Sequence, residues 1–96
     1  MPAYVIADVR AVRDQDALVE YRRRNTQAVA NHGGRFVVRG GEAEVLEGTW
    51  DTRRIVVIEF PDTAAAHAWW ASEEYAPLKE LRRVASDTNI VLVEGA

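Results

Sequence analysis

Three groups of side chains in this sequence could meet a small molecule. On a helix advancing about 100° per residue, Tyr21, Asn25 and His32 share one arc of about 100° with Leu18, Ala28 and Val29. Three hydrogen-bonding groups on an otherwise apolar helix face would line a pocket between that helix and a sheet. The plainer reading makes Tyr21 and His32 boundary residues with wet tips and Asn25 a satisfied core amide. The second group is Trp69, Ser72, Tyr75 and Arg82. An aromatic wall with a hydroxyl and a guanidinium can grip a planar or carboxylate-bearing ligand, although aromatic stripes also build ordinary cores. The third is charge inside extended segments: Asp8, Arg39 and Glu59. On adjacent strands, Glu59 and Arg39 come within reach. Glu59 could then act as a general base or hold a polar substrate. A structural ion pair at the sheet or at a dimer seam is the simpler use of the same two charges. No residue is assigned a catalytic role, and the sequence leaves open whether the protein is an enzyme.

Other chemistries are poorly served. There is no Cys and there are two His, His32 and His67. One chain therefore offers no thiolate and no three-His metal site, and neither metal nor organic cofactor is expected. The glycines at 33, 34, 40 and 41 precede neither a Lys-Ser/Thr pair nor a helix, so they form no phosphate loop. No Gly-x-Ser-x-Gly elbow occurs. The formal charge of −3 and aliphatic strand centres argue against nucleic acid and anionic membrane. The run Arg22-Arg23-Arg24 reads as a solvated face beside Glu20. Apolar runs of five or six residues cannot span a bilayer, and the first residues lack the pattern of a signal peptide, so a cytoplasmic protein is expected. Met1-Pro2 ahead of a strand permits a less favoured alternative, a tautomerase using an amino-terminal proline as base.

The elements that must position these groups follow from period and punctuation. In 96 residues with 48% hydrophobic content, one domain over residues 1–96 is expected. Tyr4 to Val9 reads as a strand. A helix capped by Asp14 or Asp16 runs to Asn31 and stops at Gly33-Gly34. Arg35 to Arg39 is a strand, Ala43 to Glu47 a short extended piece, and Arg54 to Phe60 the strongest strand, stopped by Pro61. Asp62 caps a helix through Ser72, Pro77 opens another to Ala85, and Asn89 to Val93 closes the chain. Connection rules turn this β-α-β-β-α-β order into a ferredoxin-like α+β sandwich with the helices on one face of an antiparallel sheet. Val5 to Val9 and Ile55 to Phe60 are nevertheless apolar at almost every position, which a strand covered on one face need not be. The uncovered face calls for a partner, and a second copy of the chain is the simplest.

The residues Gly33-Gly34-Arg35-Phe36, Arg39-Gly40-Gly41, Leu46-Glu47-Gly48, Val57-Ile58-Glu59-Phe60-Pro61 and Ala68-Trp69-Trp70-Ala71-Ser72, with Tyr75 and Arg82, together resemble the bacterial domain-of-unknown-function family 1330 over nearly the whole chain. Trp70 replaces a usual Tyr and Glu73 a common Pro. The resemblance implies the dimeric α/β-barrel superfamily, hence a ferredoxin-like fold and a homodimer. It leaves the chemistry wide, because that superfamily includes cofactor-independent oxygenases, isomerases and heme-handling enzymes. The expectation is a dimer with a small-molecule pocket, used for cofactor-independent catabolic chemistry of isomerase, oxygenase or lyase type; the alternative is a non-catalytic binding or structural module.

Overall fold

The sheet is built of four antiparallel strands in the order β2-β3-β1-β4, in a computed structural model that describes residues 1–96. The elements are β1 (Ala3–Val12), α1 (Gln15–Asn31), β2 (Arg35–Arg39), β3 (Arg54–Phe60), α2 (Thr63–Trp70), α3 (Ala76–Ala85) and β4 (Ser86–Glu94). This is the ferredoxin-like βαββαβ arrangement, its second helical segment broken into α2 and α3. The helix starts are chemical. Asp14 accepts a hydrogen bond from the Ala17 N–H at 3.0 Å and Asp62 one from the Ala65 N–H at 2.8 Å. Such caps contribute about 1 kcal/mol each. At the other end of α1, Gly33 has φ 77° and its N–H reaches the Ala30 carbonyl at 3.1 Å, ending the helix in a left-handed residue.

Period two along the strands sorts the side chains. Ala3, Val5 and Val9 of β1 pair across from Phe60, Ile58 and Arg54 of β3, and this row faces the helices. Val5, Ile58 and Phe60 join Ala28, Val29, Ala66, Trp69, Tyr75 and Leu78 in the core. Trp69 lies 4.2 Å from Tyr75 and 5.5 Å from Phe60 between ring centroids, so one aromatic cluster welds α2 and α3 to the sheet. The alternate row, with Tyr4, Ile6 and Asp8 of β1, Ile55, Val57 and Glu59 of β3, and Val91 and Val93 of β4, faces away from every helix. Val91 is 55% and Val93 45% exposed. The face inferred from the continuous apolar runs is therefore present and uncovered.

The structure corrects four boundaries. Ala43 to Glu47 forms no strand; it lies in an exposed connection from Gly40 to Arg53, with Leu46 88% exposed. β2 is left as an edge strand, and the segment pairs with neither side of the sheet. The strand β1 continues past a bulge between Val9 and Ala11 to pair Val12 with Ser86. The last strand begins at Ser86, directly after α3 and three residues before the expected start. The helix expected to reach Ser72 ends at Trp70, because the Ser72 hydroxyl donates to the Trp69 carbonyl at 2.8 Å and accepts from the Tyr75 N–H at 3.1 Å, fixing the turn into α3.

Gly40 ties the fold to the cavity described below. Its φ is 76°, and a Cβ there would run into the Arg54 guanidinium. Gly40→Ala is expected to lower stability by about 1–2 kcal/mol from the backbone alone, with the displacement of Arg54 in addition. At this size that corresponds to a melting point lower by about 4–8 °C per kcal/mol. A melting curve indistinguishable from wild type would contradict the placement of Arg54 over Gly40.

Candidate functional site

α1 lies against α3 and meets the sheet through side chains, Ala28 and Val29 packing with Val5, Ile58 and Phe60 toward its C-terminal end. Beneath it lies a cavity of about 590 Å³, bounded by α1, α3 and the helix-facing row of the strands. Ala7 makes room for it: between Val5 and Val9 on the inward row, this small side chain leaves volume that a larger one would fill. Val56, Ile58 and Ile90 complete an apolar floor. The size is that of a pocket for a small organic ligand.

One wall is polar and ordered. The Trp69 indole donates to the Asn25 side-chain oxygen at 3.1 Å, the Asn25 amide donates to the Tyr21 hydroxyl at 3.4 Å, and the Tyr21 and Tyr75 hydroxyls lie 2.8 Å apart. Asn25 is 2% exposed and Tyr75 wholly buried, so this chain of bonds is set by packing. Burial, reinforced by the neighbouring Tyr75, pushes the Tyr21 phenol well above its ordinary range. It remains a neutral hydroxyl at physiological pH. Arg82, 6% exposed, lines the same cavity, and its charge is felt at Tyr21.

The charged lining is entirely cationic, beside the uncharged Gln15 and Thr88. Arg22, Arg39, Arg53 and Arg54 join Arg82 at the walls, and no Asp or Glu does. The chain's ion pairs are Asp8 with Arg10, Asp87 with Arg13, Glu20 with Arg23 and Glu59 with Arg35, none of which uses a cavity arginine. Arg39 lies over the Phe36 ring, 3.8 Å from its centroid, and donates to the Arg22 carbonyl at 2.8 Å and the Thr26 hydroxyl at 2.6 Å, strapping β2 to α1. Arg54 donates to the Arg39 carbonyl at 3.2 Å. Partial burial, then the neighbouring Arg22, lowers the pKa of both Arg39 and Arg54, and both remain charged. The buried Nε groups of Arg54 and Arg82 have no hydrogen-bond partner.

Of the residues singled out in the sequence, Tyr21, Asn25, Arg39, Trp69 and Arg82 converge on the cavity. Tyr75 stands behind Tyr21 and holds its hydroxyl. Three others lie elsewhere. His32 caps the end of α1, its Nδ1 2.8 Å from the Ala28 carbonyl. Ser72 is consumed by the α2–α3 turn. Glu59 points from the opposite face of the sheet, so its expected approach to Arg39 does not occur. Arg39 pairs across from Val56, three residues from Glu59 on β3, and an odd separation on a strand means opposite faces. Glu59 instead accepts from Arg35 at 2.8 Å and from the Tyr4 hydroxyl at 2.9 Å. Arg22, Arg53 and Arg54 were not singled out as site residues. The parity of Arg54 with Val56, Ile58 and Phe60 is a signal that could have placed it among the inward-facing residues.

The chain belongs to the family described as a domain of unknown function, DUF1330, whose model matches residues 2–96. No curated protein matches it. Among solved structures, a protein of unknown function from Rhodopseudomonas palustris is 20% identical, with 99% of this chain and 82% of that chain covered and a TM-score of 0.76. A dimeric ferredoxin-like protein of unknown function from a Jannaschia species is 12% identical over 99% of this chain and 100% of that chain, with a TM-score of 0.81. A cofactor-independent oxygenase from Streptomyces nogalater is 15% identical over 99% and 93% respectively, with a TM-score of 0.72. At these identities the likenesses establish the shared fold.

The reassigned Glu59 gives a pH test. The Arg35 guanidinium, and after it the Tyr4 hydroxyl, hold its carboxyl below the ordinary value of 4.5. A carboxyl depressed in the folded state stabilises fully above its unfolded pKa and loses that contribution as pH falls through the folded value. In urea titrations the stability gap between wild type and Glu59→Gln should be widest near neutrality and close as the pH falls below the ordinary carboxyl value of 4.5. A gap independent of pH would contradict the ionised pair.

Proposed function

We propose that this DUF1330 protein is a homodimer that binds a small organic molecule in the cavity beneath α1. The observation that carries the reading is the cavity itself: about 590 Å³ with an apolar floor and one wall of ordered hydrogen-bonding groups. The cavity opens to solvent past the exposed Val12 and Gln15, and its apolar floor lacks contacts that a ligand would supply. A cavity lined by Asn25, Tyr21 and several arginines makes sense where a ligand completes the packing.

The dimer reading rests on the uncovered sheet face. Ile6, Ile55, Val57, Val91 and Val93 form an apolar patch on the two central strands and an edge, and a second copy buries the same patch in return. The dimeric fold relative supports this occupant. The likeness to the cofactor-independent oxygenase favours an enzyme of that kind as the catalytic version of this reading. The lining favours binding without catalysis as the second reading, because it has no carboxylate, imidazole, thiol or amine. Any proton moved by the wall itself would pass through the Tyr21 phenol or the ligand's own groups.

Two measurements test the two halves. Light scattering on the purified protein should give twice the chain mass, and Val57→Lys should give a folded monomer; a wild-type monomer ends the dimer reading. Ala7→Phe fills the cavity floor and should abolish the binding of a neutral apolar dye such as Nile red. Its stability should equal or exceed that of wild type, whereas overpacking a filled core costs about 1–3 kcal/mol. Undiminished dye binding by Ala7→Phe would place the ligand site elsewhere.

A further inference from the structure

We infer that the cavity selects an organic anion, a planar carboxylate on an apolar body, held at its charged end by the Tyr21 hydroxyl and the Arg82 guanidinium. The inference rests on the reading of this cavity as the ligand site and adds the charge and shape of the ligand.

The first support is a charge imbalance. A chain of net charge −3 places five arginines around one cavity and no carboxylate among them. Its ion pairs are formed elsewhere, with Arg10, Arg13, Arg23 and Arg35. Like charges gathered without counterions repel, and the electrostatic cost is offset when an anion enters.

The second support is an unmet donor. Arg82 is 94% buried by its 6% exposure, and its Nε–H has no partner. A buried guanidinium is normally matched to a carboxylate or to carbonyls, since desolvating it unpaired costs several kcal/mol. Arg82 is within hydrogen-bonding reach of the Tyr21 oxygen, and no protein group accepts its Nε–H.

The third support is the direction of the phenol protons. Tyr75 is wholly buried, and its hydroxyl has a single partner, the Tyr21 oxygen. If Tyr21 donated in this pair, the Tyr75 proton would be stranded in the core, which is the costlier arrangement. Tyr75 therefore donates to Tyr21, and the Asn25 amide donates to the same oxygen. The Tyr21 proton is left to point toward the cavity. Tyr21 and Arg82 thus both present donors on the cavity wall.

The ligand's shape follows from the remaining lining. Arg82 and Tyr21 offer few donors, suited to the two coplanar oxygens of a carboxylate more than to a tetrahedral oxyanion. The floor of Val5, Ala7, Val56, Ile58 and Ile90 can accept apolar volume that inorganic phosphate would leave empty.

The experiment compares 2-naphthoate, its neutral isostere 2-naphthamide and inorganic phosphate by calorimetric titration of the intact protein. The carboxylate should bind at least about tenfold more tightly than the amide, as hydrogen bonds to a charged acceptor warrant. Arg82→Met should erase that preference, and Tyr21→Phe should reduce it severalfold. Arg82→Met should also raise the melting point of the unliganded protein, because it removes an unpaired buried charge; a residue kept for packing or stability would give the opposite sign. If Arg82→Met fails to fold, Arg82→Lys serves in its place, and should lower the preference while keeping the charge. Equal binding of carboxylate and amide overturns the anion inference and leaves the cavity reading standing. Phosphate binding as tightly as the carboxylate overturns it as well, and binding of none of the three overturns both.

Discussion

The structure depends on the period of two in its central strands. In β1 and β3 every second residue faces the helices and every other one faces away, and both rows are largely apolar. One row is satisfied within the chain by the Phe60, Trp69 and Tyr75 cluster. The other has no covering element in the chain, and its apolar surface remains as an open face. The same strands thus supply the core and cavity floor on one side and an open apolar face on the other. A one-residue slip of β1 would exchange the rows, carrying Asp8 and Tyr4 inward, so the Asp8 charge itself helps fix register.

The polar wall shows what this packing costs. Asn25 is sequestered only because Trp69 donates to it and Tyr21 accepts from it, and Tyr21 is itself held by Tyr75. These four residues come from α1, α2 and the turn before α3, so each orients the next across separate elements. Such a network is stable when all members are present and expensive when one is lost, since the survivors keep their burial and lose their partners. The arginines around it are balanced differently: Arg39 and Arg54 find carbonyls, while Arg54 and Arg82 each keep a buried Nε–H without a partner. The site is fully hydrogen-bonded where it is neutral and incompletely paired where it is charged.

Much of this was legible in the residues. The bounds of β2 and β3, the Asp14 and Asp62 caps and the stop at Gly33 follow from local signals that tertiary structure did not override. The helical spacing of Tyr21 and Asn25 placed both on the inward face, and the family pattern added Trp69, Tyr75 and Arg82. Glu59 and His32 were harder, because a residue type says what chemistry is available and not which face receives it. Strand parity would have separated Glu59 from Arg39, had the bulge between Phe36 and Val38 been visible in the sequence. The cationic lining was hidden for another reason. Its arginines come from α1, β2, β3 and α3, and only folding brings them to one cavity. Net charge, summed along the chain, concealed the local excess.

The connection from Gly40 to Arg53 links the two faces of the sheet. The Trp50 indole donates at 3.2 Å to Asp8 on the open face, and the Arg53 N–H donates to the Val9 carbonyl at 2.8 Å. Arg53 and Arg54 then turn to the cavity wall, and Arg54 reaches back to the Arg39 carbonyl over Gly40. Arg53 and Arg54 thus follow the open-face contact of Trp50 by three and four positions. The uncovered face and the cavity therefore share one strap, whose contact with Asp8 and whose cavity arginines are held by the same short run of backbone.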